Sequence, residues 1–135
     1  MMRIIGIGSD IVHIPRVAEL LTQFETRFTE RIFSLHERKT AETLLPERRA
    51  AFYAKRFAAR EALAKALGSG FRDGMRMCDI QVHTDALGKP SLAFEGHTLK
   101  VLEGLLHPGE TWEAHLSLSD DPPVAQAFVI LVAQG

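Results

Sequence analysis

Glu61 and Lys65 stand four residues apart in an alanine-rich stretch, Arg56 to Leu67, that is followed by Gly68. An α-helix advances 3.6 residues per turn, so the two side chains share one helix face. A carboxylate on that face can hold a hard cation, and an ammonium beside it can meet a phosphate oxygen. The same spacing is also the common stabilising Glu–Lys pair of helices, so a structural role is the alternative.

A second carboxylate breaks the apolar segment that begins near the N-terminus. Asp10 comes directly after Arg3–Ser9, whose apolar residues are typical of a core strand. Burial of an unpaired carboxylate is costly, so Asp10 requires a cation, hydrogen-bond donors or solvent. Two interpretations stay open here: a functional carboxylate, or a strand end that caps a helix opened by Pro15.

The elements around these residues predict an α+β fold in one domain, residues 1–135. Ser34 and Glu37 have the spacing of a capping box. The helix that carries the acid–base pair is expected to open at Pro46 and to be closed by Gly68 or Gly70. The first half is thus predicted to contain a strand over about Arg3–Val12, a helix over about Pro15–Phe24, a helix from Ser34, and the long helix Pro46–Leu67.

The second half of the chain predicts mainly strands. Apolar and polar residues alternate in Ile80–His83 and again in Leu92–Phe94, with turn residues between them. The nearly unbroken apolar run Val129–Val132 predicts a central strand buried on both faces. The other predicted elements are a short helix with Leu99, Leu102 and Leu106 on one stripe, and an antiparallel hairpin of Trp112–Leu118 with Val124–Val132.

Composition excludes several classes of protein. The 135 residues are 46% hydrophobic and 24% charged, as in globular proteins, and the formal net charge of −1 argues against broad nucleic-acid binding. Cys78 is the single cysteine, so we expect no internal disulfide and a structural role for it. We recognise no signal segment and no apolar run of the ~20 residues that span a bilayer, so we expect a cytoplasmic protein without a membrane partner.

Three motifs occur in order along the chain. Gly8-Ser9-Asp10 is followed six residues later by Arg16, the stretch from Arg56 to Gly70 reads R-F-A-A-R-E-A-L-A-K-A-L-G-S-G, and Gly88-Lys89-Pro90 precedes a short predicted strand. Together these motifs resemble those of the holo-acyl-carrier-protein synthases, the small bacterial branch of the 4′-phosphopantetheinyl transferases. The resemblance implies an α+β fold whose later strands form an antiparallel sheet.

The chain departs from the family pattern at three places. Arg60 and Ser69 stand where the pattern has Lys and Thr. Asp120 ends Ser117-Leu118-Ser119-Asp120, where many members have S-x-S-H or S-x-T-H, so the role of that His cannot be assigned to Asp120.

The resemblance implies transfer of the phosphopantetheine arm from coenzyme A to a serine of apo-acyl carrier protein, with release of adenosine 3′,5′-bisphosphate, in fatty acid biosynthesis. It implies that Asp10, Glu61 and Lys65 are catalytic, that Asp10 and Glu61 bind Mg²⁺, and that Lys65 contacts a phosphate. The acceptor of the serine proton, a metal-bound water or a carboxylate, stays open.

The resemblance also implies binding roles around this centre. The candidates for coenzyme A binding are Arg56, Lys65, Gly68, Ser69, Gly70, Lys89 and Pro90, because cations and free amides bind anions. Glycines at a helix end are ordinarily caps, and Lys89-Pro90 is equally a plain turn. Arg16 is the candidate contact for an acidic carrier protein. The implied working form is a homotrimer with each site at a subunit boundary.

Two other function classes would use the same residues. A Mg²⁺-dependent nucleotide or phosphate-ester hydrolase would use both carboxylates and the lysine, and would turn over coenzyme A without a carrier protein. An oligomeric binding module would need Glu61 and Lys65 only as a structural pair, and would show no Mg²⁺-dependent binding of coenzyme A.

Overall fold

The computed structural model of the protein describes residues 1–71 and 74–135. Helices and two antiparallel sheets confirm the predicted α+β class. In those two ranges, every helix is too short or too polar to cross a membrane. The elements are β1 (Met2–His13), α1 (Ile14–Phe24), α2 (Thr26–Ile32), α3 (Leu35–Glu42), α4 (Pro46–Leu67), a 3₁₀ turn (Met77–Asp79), β2 (Ile80–Thr84), β3 (Pro90–Phe94), α5 (Gly96–Gly104), β4 (Thr111–Asp121) and β5 (Val124–Gln134).

The larger sheet has the strand order β1-β5-β4, so the last strand is central, as predicted. β5 pairs antiparallel with β1 on one side and with β4 on the other. Its Ala127, Val129 and Leu131 are fully buried in one cluster with Ala62 and Leu63 of α4. The core therefore lies between this sheet and the long helix.

Helix α4 has the predicted bounds. Pro46 opens it, because the missing N–H of proline would have no partner in a first helical turn anyway. Gly68 ends it in the left-handed conformation, with φ 81°. Its 22 residues span about 33 Å. Ala58, Ala62 and Ala66 are buried on one side, and these small side chains let the helix approach the sheet closely.

The structure contains a helix that the sequence analysis did not predict, α2. Phe28 is buried in this helix, and its spacing of four residues from Ile32 is the signal that could have indicated it. The capping box at α3 is confirmed. The Glu37 amide donates to Ser34 Oγ at 3.2 Å, and the Ser34 amide donates to Glu37 Oε1 at 3.1 Å.

The predicted strands of the second half are present, with small differences. β2 and β3 form an antiparallel hairpin, and β4 and β5 form the last one. Leu99 and Leu102 lie in α5, as expected, but Leu106 lies beyond the end of that helix. Its amide donates instead to the carbonyl of Glu103, in a turn that leads toward β4.

The predicted stretch Val129–Val132 is largely buried on both faces, since Val129, Leu131 and Val132 are buried and Ile130 is half-buried, but this burial does not extend along the rest of β5. The face turned away from α4 carries Phe128, which is 39% exposed. Neighbouring β1 places Ile4, Ile7 and Ile11 on the same outer face, each more than half exposed. We call these four side chains the outer apolar face of the sheet.

Glu110 fixes the corner where β4 begins beside β1. Its carboxylate accepts hydrogen bonds from Arg3 Nη2 at 2.6 Å and from the His107 amide at 2.7 Å. The hydrogen bond from Arg3 is the largest cause that lowers the pKa of Glu110 to about 2, from 4.5. Because the folded-state pKa is depressed, the stabilisation is present above about pH 4.5 and is lost as the pH falls toward 2.

Glu110→Gln is therefore expected to lower the melting temperature by a few degrees at pH 7 and to have little effect near pH 2, where the native carboxyl is itself becoming protonated. Thermal unfolding followed by circular dichroism at the two pH values measures this difference. Glu103→Gln, at an exposed position of α5, is the matched control and should change neither value. An equal loss at both pH values would mean that the charge of Glu110 is not what stabilises the corner.

Candidate active site

A cleft of about 680 Å³ lies between the end of β1, helix α1 and one face of α4. Asp10 from β1, Arg16 from α1 and Glu61 from α4 all line it. The structure thus brings together three residues that the sequence analysis selected from separate segments.

Two glycines explain how Asp10 comes so close to α4. Gly6 and Gly8 lie on the same side of β1 as Asp10, against the backbone of the helix. A Cβ atom at Gly8 would lie 1.9 Å from the carbonyl oxygen of Ala62, and one at Gly6 would lie 1.9 Å from that of Ala66. Backbone atoms cannot approach a side chain so closely, so these positions require glycine while β1 keeps this distance from α4.

Lys65 faces Asp10 across this contact. Its Nζ donates to the carbonyl oxygen of Ser9 at 2.9 Å and to Asp10 Oδ1 at 3.3 Å. Among the residues that the structure describes, its ion pair is with Asp10 and none is found with Glu61. The helical Glu–Lys pair that served as the structural alternative is therefore not formed.

Asp10 does not cap α1 either. The residue at the N-cap of that helix is His13, and no side chain makes a cap hydrogen bond there. Asp10 is instead mostly buried, with 19% of its side chain exposed, and lies beside Lys65 and Glu61. The capping interpretation is wrong, and the carboxylate faces the cleft.

The electrostatics of the two carboxylates fit a bound cation. Burial raises the pKa of Glu61, and the negative charge of Asp10 raises it further, while Lys65 lowers it. A divalent ion between the carboxylates would relieve both the desolvation and the repulsion. In residues 1–71 and 74–135 no group of three or more His, Cys, Asp or Glu side chains forms a cage. Two carboxylates with open positions suit Mg²⁺, which keeps water and phosphate ligands.

The other candidates for coenzyme A binding lie apart from this cleft or are already bonded. The amides of Gly68 and Gly70 donate to the carbonyls of Lys65 and Ala64, as in an ordinary helix cap. The Lys89 amide donates to Asp85 Oδ1 at 2.9 Å, in a tight turn before β3. None of these residues lines the cleft that contains Asp10.

Arg56 is buried, with 7% of the residue exposed, and lies on a different face of α4 from Glu61. Its Nη1 donates to the Phe52 carbonyl at 3.1 Å, and its guanidinium carbon lies 3.5 Å from the centre of the Phe52 ring. Burial lowers the pKa of Arg56 to about 10. Its Nε has no hydrogen-bond partner among the described residues.

The cleft also has an apolar half that the sequence analysis did not assign. Val17 and Leu20 of α1, Phe28 of α2 and Phe57 of α4 line it. Phe57 shares the helix face of Glu61 and could have been selected by its spacing of four residues. Phe28 could not, because α2 was not predicted. The cleft therefore joins a charged end to an apolar surface.

Comparison with known proteins shows the family to which this chain is similar. Residues 6–126 match the sequence profile of the 4′-phosphopantetheinyl transferase superfamily. A holo-[acyl-carrier-protein] synthase of Sphingopyxis alaskensis is 47% identical over 130 residues, which cover 96% of this chain and 97% of that protein. One of Phenylobacterium zucineum is 48% identical, over 96% of this chain and 93% of that protein.

Solved structures agree with the sequence comparison. The crystal structure of holo-[acyl-carrier-protein] synthase from Neisseria meningitidis superposes with a TM-score of 0.82 at 35% identity, over 98% of this chain and 100% of that one. The enzyme from Bacillus anthracis, solved in complex with CoA (3′,5′-ADP), gives 0.79 at 34% identity, over 99% and 100%.

An α+β fold that sets two carboxylates in one cleft, with a lysine paired to one of them, is suited to an enzyme acting on phosphate esters. The chain belongs to the 4′-phosphopantetheinyl transferase superfamily, among the holo-[acyl-carrier-protein] synthases.

The contact between β1 and α4 gives a direct test of how the site is built. Gly8→Ala is expected to force β1 away from Ala62, separating Asp10 from Glu61, and to destabilise the fold by about 1–3 kcal/mol or more. Transferase activity should fall further than the stability loss explains. Gly104→Ala is the matched control, because a Cβ there meets nothing within 4 Å. Urea unfolding measures the stability of both variants, and turnover measures their transferase activity. A fully active Gly8→Ala would mean that the site does not depend on the close approach of β1 to α4.

Proposed function

We propose that this chain transfers the 4′-phosphopantetheine arm from coenzyme A to a serine of apo-acyl carrier protein and releases adenosine 3′,5′-bisphosphate, with Mg²⁺ as cofactor. The observation that carries the proposal is that Asp10 and Glu61 line one cleft and that Lys65 pairs with Asp10, in a chain of this family. The fatty-acid pathway and the cytoplasmic location stay predictions from the resemblance.

The chemistry needs negative charge to be neutralised and the serine hydroxyl to be held in line with the scissile phosphate. Asp10 and Glu61 would hold Mg²⁺, which when bound stabilises charge on the pyrophosphate. Lys65 is 57% exposed on its side chain, so it can reach a phosphate oxygen at the mouth of the cleft. The mostly buried position of Asp10 keeps it from free solvent and strengthens its attraction for cations.

Arg56 supports a second anion-binding position, which depends on buried positive charge and not on a metal. Arg56 and Arg60 are both buried, and Glu37 is the carboxylate that raises the pKa of Arg56 by its charge. Two guanidiniums and one carboxylate leave an excess of positive charge, and Arg56 Nε lacks a partner in the described residues. An approaching phosphate would supply the missing acceptor, so Arg56 stays in our proposed coenzyme A site.

Arg16 supports docking of the carrier protein beside the catalytic end. It is exposed on α1 and lines the same cleft as Asp10 and Glu61. A cation at that rim would attract an acidic partner and orient its serine toward the carboxylates. The apolar half of the cleft, including Leu20 and Phe57, would receive apolar side chains of the same partner or of the pantetheine arm.

We also propose that the working form is a homotrimer with each site at a subunit boundary. The outer apolar face, with Ile4, Ile7, Ile11 and Phe128, is a surface that a second copy would cover. Lys89 and Pro90 do not line the cleft of their own chain. In a homotrimer, the turn that contains Lys89 and Pro90 of one subunit could reach the cleft of its neighbour.

Mass spectrometry tests the reaction. Apo-acyl carrier protein incubated with this protein, coenzyme A and Mg²⁺ should gain the mass of one phosphopantetheine arm. Consumption of coenzyme A without carrier protein would instead indicate the hydrolase alternative. Failure to bind coenzyme A with Mg²⁺ present would indicate a binding module with another ligand.

Subunit exchange tests the shared site. Asp10→Ala and Lys89→Ala are each expected to be inactive, and mixing them should restore part of the activity, because one boundary then carries both intact halves. Sedimentation equilibrium should show three chains per particle. A fully active monomer, or mixed oligomers that stay inactive, would contradict the boundary site.

A further inference from the structure

We propose that Lys65 and the metal ion compete for Asp10, so that Lys65 couples metal binding to coenzyme A binding. The inference rests on the proposed function and adds a second role to Lys65. In this scheme the ammonium balances the carboxylate until the metal binds, and the metal then leaves Lys65 free to hold a phosphate.

The geometry places the ammonium beside the carboxylate that a metal would use. Lys65 Nζ is 3.3 Å from Asp10 Oδ1, and a Mg²⁺ ion would bind a carboxylate oxygen at about 2.0–2.1 Å. Two cations bound to one carboxylate would repel each other at short range. Metal binding therefore weakens the contact between Lys65 and Asp10.

The side chain of Lys65 is able to leave. It is 57% exposed, and in the described residues its other hydrogen bond is to the carbonyl of Ser9. A lysine side chain has four rotatable carbon–carbon bonds, so it can reorient without moving α4. Asp10 is mostly buried in the wall of the cleft and stays in place.

Charge balance gives the direction of the coupling. Asp10 and Glu61 carry two negative charges and Lys65 carries one positive charge, so the cluster repels the pyrophosphate of coenzyme A. A divalent ion reverses the sign of the cluster, and the displaced ammonium adds a phosphate contact. Metal binding thus favours coenzyme A, and by linkage coenzyme A favours the metal by the same factor.

The experiment measures metal affinity directly. Mn²⁺, which takes the same oxygen ligands as Mg²⁺, is titrated into the protein while electron paramagnetic resonance counts the free ion, with and without saturating coenzyme A. Lys65→Met is expected to bind Mn²⁺ about 5-fold more tightly than the wild type without coenzyme A. The tightening caused by coenzyme A should be smaller in this variant than in the wild type.

Lys55→Met is the matched control, because Lys55 is another α4 lysine paired with a carboxylate, at 3.0 Å from Asp120 Oδ1. It removes the same charge but its partner is Asp120 and not Asp10, so its Mn²⁺ affinity should equal that of the wild type. If Lys55→Met tightens Mn²⁺ binding as much as Lys65→Met does, the loss of one positive charge from the protein explains the effect. The proposed competition between Lys65 and the metal for Asp10 is then wrong.

The remaining outcomes separate this inference from the proposed function. If the wild type binds Mn²⁺ and Lys65→Met binds it equally or more weakly, the competition is wrong while the metal site stands. If the wild type binds no Mn²⁺, or if Asp10→Asn binds it as the wild type does, the proposed metal site itself is wrong.

Discussion

Asp10→Asn and Glu61→Gln are each expected to lower phosphopantetheine transfer on the order of 10³-fold, because each removes one of two carboxylates that would hold the metal. Both replacements keep the size of the side chain, so the fold should persist. Neither residue belongs to the buried core, and Glu61 is only half-buried. Steady-state turnover over a range of Mg²⁺ concentrations measures the loss.

The dependence on Mg²⁺ separates a metal ligand from a residue of another kind. A variant that has lost a ligand should need more Mg²⁺, and high concentrations should restore part of its activity. Glu103→Gln, an exposed carboxylate of α5, should behave as the wild type at every concentration. If Asp10→Asn and Glu61→Gln kept wild-type turnover at limiting Mg²⁺, the assignment of the metal to these residues would be wrong.

Local rules predicted the elements that carry the site. Pro46 and Gly68 gave the bounds of α4, because a proline suits a first helical turn and a glycine suits a left-handed end. The spacing of Ser34 and Glu37 gave the start of α3. In each case the signal lies within a few residues of the feature, so no knowledge of the packing was needed.

The partners of the charged residues could not be predicted in this way. Lys65 pairs with Asp10, more than fifty positions away, and not with Glu61 on its own helix, because β1 approaches α4 closely at Gly8. Glu37 fulfils its capping role and also pairs with Arg60, on another helix. Spacing along one segment says nothing about such contacts, which depend on how separate elements pack.

Substitution of Arg60 is expected to have the second large effect, on the stability of the fold. It is completely buried, and its five N–H donors all have acceptors in the structure. These five acceptors are the two carboxylate oxygens of Glu37 and the carbonyl oxygens of Arg56, Met77 and Ile80. The side chain thereby joins α4 to α3, to the 3₁₀ turn and to the first residue of β2.

Arg60→Met is expected to destabilise the protein by about 3–5 kcal/mol, because it leaves the fully buried carboxylate of Glu37 without a cation. Such a loss is a large share of the about 5–15 kcal/mol that stabilises a typical domain. Urea unfolding followed by circular dichroism gives the free energy of unfolding. A variant as stable as the wild type would mean that the ion pair adds nothing to the fold.

Two further variants separate the charge from the hydrogen bonds. Arg60→Lys restores the residue that the family pattern has here and keeps the positive charge, but its three donors cannot serve five acceptors, so we expect a smaller loss of about 1–3 kcal/mol. Arg60→Met combined with Glu37→Leu removes both charges together and should recover part of the stability, since apolar replacements of a buried pair are often neutral, while Ser34 loses its capping partner and three carbonyls still lack their donors. If the double variant were as unstable as Arg60→Met alone, the loss would come from the missing hydrogen bonds of the three carbonyls and of Ser34, and not from an unpaired carboxylate at Glu37.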